Sequence, residues 1–171
     1  MTIMRDQPRS PATAVTIRAA TPDDVPALVA LVNAAYRVSE GHVFPGSSRL
    51  ERTEAMQQLD RIAIAELDGK PAACVDIDLT GDAAHFGLLA TDVAMQRRGV
   101  ASMLIEHAEA RARAAGHATM RIEVVKEGGR IPYYERKGYR VIRETQGQVW
   151  NGGQDWGAAI EWHMVEMEKR L

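Results

Sequence analysis

From His85 to Ala115 the sequence reads strand, tight turn, helix, and the turn is Gln96-Arg97-Arg98-Gly99-Val100-Ala101. No other stretch constrains the chain as much. A helix that begins at a glycine straight after a strand leaves its first N–H groups without partners and presents the positive end of its dipole. That is a ready anion site, and Arg97 and Arg98 stand beside it. The plain alternative is a surface turn with two solvated arginines.

The chain has 171 residues, enough for one domain with a substantial core. Hydrophobic residues make up 46%, which argues against disorder of the bulk. The net charge of −2, from 21 basic and 23 acidic residues, argues against a general affinity for nucleic acid. Cys74 is the only cysteine, so no intrachain disulfide forms. It is expected to be a small buried strand residue. No apolar run approaches the roughly 20 residues of a membrane helix. Met1–Ala14 has no apolar region of the kind a secretory signal needs and is expected to be a disordered tail. The default compartment is the cytoplasm. The five histidines show no metal-ligand spacing, and no metal is expected.

Val15–Arg18 is expected to be a short strand. Thr21-Pro22-Asp23-Asp24 is a helix start, with a cap, a proline in the first turn and acids behind it. Val25, Leu28, Val29, Val32, Ala35 and Tyr36 then share one helical face, in a helix expected to end near Tyr36 or Arg37. A loop spans Val38–Ser48, and a helix is expected over Arg49–Leu59. Ile62–Leu67 and Ala72–Leu79 read as strands joined by a hairpin at Asp68-Gly69. In the second of these, Asp76 and Asp78 alternate with apolar residues and are expected to face water. The key strand is His85–Val93. The helix from Gly99 is expected to bury Val100, Met103, Leu104, Ala108, Ala112 and Ala115, with Glu109 on the wet side. A strand over Thr119–Val125, a short helix over Arg130–Lys137 and a strand over Tyr139–Glu144 follow. The end reads as a Gly-rich loop, Gly147–Gly157, and a last strand, Ala158–Met167. Of Trp150, Trp156 and Trp162, the last is expected in the core.

Two segments belong together: Leu89–Ala101 with its turn, and Ile131-Pro132-Tyr133-Tyr134-Glu135-Arg136-Lys137-Gly138-Tyr139. In this order, and in matching elements, they resemble the GNAT superfamily, the Gcn5-related N-acetyltransferases. The pattern there is Gln/Arg-x-x-Gly-x-Gly/Ala at a strand-to-helix turn, then a Tyr-Glu-(Lys/Arg)-x-Gly-(Phe/Tyr) segment. The resemblance covers most of the chain. It implies an α/β (α+β) acyl-CoA N-acyltransferase fold over residues 15–171: a mixed, mostly antiparallel sheet with a splayed central parallel pair and flanking helices. It implies acetyl-CoA as co-substrate and a small-molecule or peptide amine as acceptor. The alternative on the same fold is a non-catalytic acyl-CoA-binding regulatory module. Neither a nucleic-acid nor a membrane partner is implied, and a homodimer is open.

The resemblance also assigns residues. Gln96, Arg97, Arg98, Gly99, Val100, Ala101 and Ser102 would bind the coenzyme A pyrophosphate. Leu89, Ala90 and Thr91 would lie along the pantetheine arm, and one of their N–H groups would face the oxyanion. Arg130 is a further candidate for the cofactor. The family's Val-x-Pro is Thr91-Asp92-Val93 here, and its asparagine before the tyrosine is Glu127, so that contact does not transfer. Tyr134 matches the tyrosine aimed at the cofactor sulfur. A phenol near pKa 10 giving its proton fully to a thiolate near 8.5 is uphill by about 2 kcal/mol, which favours a hydrogen-bond donor over a full acid. Tyr133 is the packing member of the pair. An amine near pKa 10.4 costs about 4 kcal/mol to deprotonate at neutral pH, so a base is of use. Glu123 and His85 are the candidates, alongside a water chain. Tyr36-Arg37, Glu40 and Arg52-Thr53 fall where the family walls its acceptor pocket.

Overall fold

The computed structural model describes residues 14–147 and 160–171. Residues 1–13 of the expected tail, all but Gly147 of the Gly-rich loop, Trp150, Trp156 and the first two residues of the expected last strand lie outside them. The elements run β1 (Val15–Ala19), α1 (Val25–Glu40), α2 (Arg52–Gln57), β2 (Ile62–Leu67), β3 (Lys70–Asp78), β4 (Ala84–Thr91), α3 (Val100–Ala114), β5 (Thr119–Val125), α4 (Ile131–Arg136), β6 (Arg140–Gln146) and β7 (His163–Arg170). The seven strands form one sheet in the order β1-β2-β3-β4-β5-β7-β6. Every neighbouring pair is antiparallel except β4 with β5.

The sheet has two apolar layers. α3 packs Val100, Leu104, Ile105, Ala108 and Ala112 with Val75, Ile77, Phe86, Met120 and Ile122 of the sheet. α1 packs Leu28, Leu31, Val32 and Ala35 with Ile62, Ile64, Cys74 and Ala90. Thus neighbouring strand residues point to opposite helical layers, as strand geometry requires. The hairpin between β2 and β3 has Asp68 and Gly69 at φ 52° and 74°, the paired left-handed turn that matches strand twist.

The helix starts follow their local chemistry. Asp24 caps the short 3-10 turn that leads into α1, accepting from the Thr21 N–H at 2.7 Å and pairing with both terminal nitrogens of Arg18 at 2.7 and 2.8 Å. The Arg18 guanidinium holds this carboxyl well below the usual carboxylate range. A group whose pKa is depressed by folding stabilises the native state above its unfolded value, near 3.9, and loses that contribution as pH falls through the folded value. Asp24→Asn is therefore expected to cost about 1–2 kcal/mol at pH 7 and much less in strong acid. Thermal melts of the two proteins at pH 7 and pH 2 check this: an equal gap at both pH values contradicts it.

Several boundaries differ from the sequence expectations. α1 runs on to Glu40 rather than stopping at Tyr36 or Arg37, with the Ser39 hydroxyl bonded back to Ala35 at 3.3 Å. The second helix is short because Arg49 and Leu50 cannot join it. Both give their N–H groups to the Asn33 side chain, at 2.7 and 3.0 Å, and the helix starts only after the Glu51–Glu54 capping box. β4 ends at Thr91 rather than Val93, since the Asp92 carboxylate accepts the Ala94 N–H at 2.8 Å and turns the chain. β7 is His163–Arg170, displaced towards the C-terminus from the expected span.

Polar burial also departs from the pattern. In α3, Met103 and Ala115 are exposed, while Ile105 and Glu109 are buried. Glu109 lies under the sheet edge because Lys169 Nζ reaches it at 2.7 Å and the Tyr139 hydroxyl donates to it at 3.0 Å. Asp76 is buried rather than wet, held by Arg61 Nε at 2.9 Å. Cys74 is buried as expected, and burial pushes its thiol up to about 12. Trp162 sits edge-on to Phe44, ring centroids 5.0 Å apart, against a small third cluster with Val43 and Val125.

Candidate active site

β4 and β5 are paired only at their starts, Ala84 with Met120 and His85 with Arg121. Beyond that point the strands part. The cause lies on the other side of β4. Gly87 faces Asp76 and Ala90 faces Cys74, so β4 spends one more residue than β3 between these pairs. This is a β-bulge, with Leu88 in the left-handed region at φ 47°. The bulge bends β4 away from β5 and leaves its far edge without a strand partner. The resemblance implies a splayed pair, but no residue type marks the bulge itself, since leucine is a poor marker of positive φ.

The gap opens into a cleft of about 580 Å³. One wall is Leu89, Ala90 and Thr91 of β4; the other is Glu123, Val124 and Val125 of β5. Its floor at one end is the start of α3, Gly99 to Ser102, with Gln96 and Arg97. Tyr36, Ser39, Glu40 and Arg49 close the opposite side, and Arg130, Tyr133 and Tyr134 complete it. A wider concavity of about 720 Å³ lies elsewhere, against Thr119, Arg140 and Lys169. Its residues are largely committed to ion pairs, including Arg140–Glu168 and Lys169–Glu109.

The start of α3 is built for an anion. Arg97 and Gly99 both take left-handed backbone angles, φ 64° and 80°. Among the described residues no acceptor engages the N–H groups of Gly99, Val100, Ala101 or Ser102. The first bond into the helix is from Met103 to Gly99 O at 3.1 Å. A Cβ on Gly99 would meet nothing within 4 Å. Glycine is thus required here by its backbone angle, and the space in front of the turn is open for a ligand. These amides, with the helix dipole behind them, suit a diphosphate.

Tyr134 is held by aromatic packing. Its ring lies 5.2 Å from Tyr133, 6.2 Å from Tyr139 and 6.3 Å from Phe86. Gly138 at φ 92° turns the chain after α4, so that Tyr139 enters the core and braces α4. Burial pushes the Tyr134 hydroxyl above its ordinary range, with Tyr36 and Tyr133 adding to the effect. The group stays protonated and can donate.

The structure gathers most of the residues singled out in the sequence. Leu89, Ala90, Thr91, Gln96, Arg97, Gly99, Val100, Ala101, Ser102, Glu123, Arg130 and Tyr134 line one cleft. Arg98 and His85 are not among its lining residues. His85 sits at the closed end of the β4–β5 pair, opposite Asp78 and Arg121. Arg37 lines a small neighbouring hollow instead. Arg49 was not foreseen, and a loop arginine carries no sequence signal for such a role. Glu127, which replaces the family's asparagine, bonds the His163 N–H at 2.9 Å and its Nδ1 at 2.8 Å, tying the start of β7 to the end of β5. Burial pushes its carboxyl up, but those hydrogen bonds prevail and hold it below its ordinary value.

Residues 58–141 match the model of the acetyltransferase (GNAT) domain. No curated protein sequence matches the chain. Among solved structures it is similar to the ribosomal-protein-alanine N-acetyltransferase of Brucella melitensis, at 17% identity and a TM-score of 0.70, over 91% of this chain and 99% of that one. It is similar to the ribosomal-protein-S18-alanine N-acetyltransferase of Escherichia coli, at 23% identity and a TM-score of 0.68, over 92% and 94%. A third is the N-acetylglutamate synthase of Neisseria gonorrhoeae complexed with coenzyme A and N-acetyl-glutamate, at 18% identity and a TM-score of 0.68, over 94% of this chain and 36% of that one.

Proposed function

The chain carries the acetyltransferase domain of the GNAT superfamily, and from that premise we propose that it transfers an acetyl group from acetyl-CoA to a primary amine. One observation carries the proposal: an unpaired strand edge, a row of unengaged helix amides and the Tyr134 phenol share a single cleft. Each of the three matches one part of the thioester substrate.

The diphosphate rests on the amides of Gly99 to Ser102, with Arg97 beside it and Arg130 as a second cation. A single helix-terminus contact is worth only about 0.3–1 kcal/mol when exposed, so several amides act together. The pantetheine arm carries amide groups and lies along Leu89 to Thr91, in the manner of an added strand. A β4 N–H, from Leu89 or Thr91, then faces the thioester oxygen.

The neutral amine attacks the thioester carbonyl carbon. A C–N bond forms, and the carbonyl oxygen takes up negative charge next to the β4 N–H. The oxyanion collapses, the C–S bond breaks, and its electron pair leaves on sulfur. The Tyr134 hydroxyl donates a hydrogen bond to that sulfur. The proton lost by nitrogen passes to a cleft carboxylate or to water. Of the two bases considered from sequence, Glu123 lines the cleft and His85 does not. The reaction fits a cytoplasmic location, where acetyl-CoA is formed and thiols stay reduced. No helix among the described residues is long and apolar enough to cross a membrane.

Calorimetry with acetyl-CoA, followed by a thiol-release assay over a panel of primary amines, tests the proposal. The expected result is 1:1 binding and amine-dependent release of coenzyme A. Binding without release over the whole panel would favour a non-catalytic acyl-CoA module.

A further inference from the structure

The acceptor side of the cleft has a charge pattern that acetyl transfer alone does not require. Tyr36, Ser39 and Glu40, from the last turn of α1, line it together with Arg49. Arg49 has no carboxylate in salt-bridge contact among the described residues, though its charge acts on Tyr36 and Glu40, and its Nε is buried without a hydrogen-bond partner. Its guanidinium stacks over the Tyr36 ring, 5.1 Å from the centroid. The backbone behind it is clamped. Asn33 accepts from the Arg49 and Leu50 N–H groups and donates to Leu50 O at 3.0 Å. A guanidinium that is stacked and clamped has already lost most of its freedom before a ligand arrives. A guanidinium in such a place, with its Nε unbonded, suits a planar anion. Other arginines of comparable burial, Arg18 and Arg61, each hold two carboxylates.

Glu40 lies in the same wall, at the C-terminal end of α1, where the helix dipole is negative. Burial pushes its carboxyl above the ordinary range, against the pull of Arg49, Arg130 and His42. A cation beside it would relieve that cost. The two groups therefore present opposite charges to one small ligand.

Resting on the transferase reading above, we infer that the acceptor carries a carboxylate as well as its amine, with Arg49 receiving the carboxylate and Glu40 facing the amine. Free amino acids are the smallest molecules of this class.

The test uses matched pairs that differ by the carboxylate alone: lysine with cadaverine, phenylalanine with phenethylamine, methionine with 3-methylthiopropylamine. Coenzyme A release is measured for each pair. At least one acid is expected to be acetylated about 10- to 100-fold more efficiently than its decarboxylated partner, the worth of one charge-assisted contact. Arg49→Met is expected to remove that preference by raising KM for the acid, with kcat and the acetyl-CoA Kd nearly unchanged. Arg49→Lys keeps the charge without the fork and should retain part of the preference. Equal use of acid and amine, or no turnover of any acid, overturns the inference while leaving acetyl transfer intact. A weakened acetyl-CoA Kd in Arg49→Met with an unchanged acceptor KM also overturns it, since the guanidinium would then serve the cofactor. Failure of the native protein to bind acetyl-CoA would instead overturn the transferase reading itself.

Discussion

Gly99→Val is expected to weaken acetyl-CoA binding by about 100-fold while leaving the protein folded. The native φ of 80° is open to glycine and an outlier for any β-branched residue. Valine would drive the turn into a different conformation and aim its amides elsewhere. Losing one or two charge-assisted hydrogen bonds, at about 1.5–3 kcal/mol each, gives a change of that size. The cost to folding is smaller, about 1–3 kcal/mol, because a Cβ here meets nothing within 4 Å and the strain is confined to the backbone. Calorimetry and a thermal melt on the same preparation separate the two effects. Gly99→Ala should fall between the native protein and the valine variant. Unchanged affinity in the valine variant would mean that the α3 amides do not hold the ligand.

Tyr134→Phe is expected to lower kcat by about 10- to 100-fold and to leave the acetyl-CoA Kd within about twofold. Phenylalanine keeps the ring contacts with Phe86, Tyr133 and Tyr139, so the shape of the cleft survives. What is lost is one donor to the departing sulfur. The raised pKa decides which role the hydroxyl plays. An ordinary phenol already yields its proton to a thiolate at a cost of about 2 kcal/mol, and burial adds to that cost. Tyr134 therefore stabilises the sulfur as a hydrogen-bond donor. For the same reason it does not titrate in the working range, and the native enzyme should show no alkaline loss of kcat from this group between about pH 7 and pH 10. A pH profile of both proteins, together with the KM-against-kcat split, checks the assignment. Equal turnover of the two proteins would remove Tyr134 from the chemistry.

The parts of the fold that were legible are those where local chemistry and tertiary packing agree. The Thr21-Pro22-Asp23-Asp24 start, the Asp68-Gly69 hairpin and the Gly99 turn each state their conformation in their residue types. Where a distant side chain intervenes, the local pattern fails. Asn33 captures Arg49 and Leu50 and shortens α2; Lys169 and Tyr139 draw Glu109 under the sheet. The same distinction runs through the site. The α3 turn and Tyr134 sit in short motifs and could be read directly. The bulge at Leu88 arises from the register of β4 against β3, and Arg49 reaches the cleft only because a loop folds back onto α1. Neither is a property of a window of sequence.

An amide-resolved NMR titration of the full chain with acetyl-CoA tests the central claim most directly. The account predicts that the N–H signals of Gly99, Val100, Ala101 and Ser102 move most, together with those of Leu89 to Thr91, saturate at one equivalent and gain protection from hydrogen exchange. Silent α3 amides in the presence of bound acetyl-CoA, with the shifts gathered instead around Thr119, Arg140 and Lys169, would contradict it.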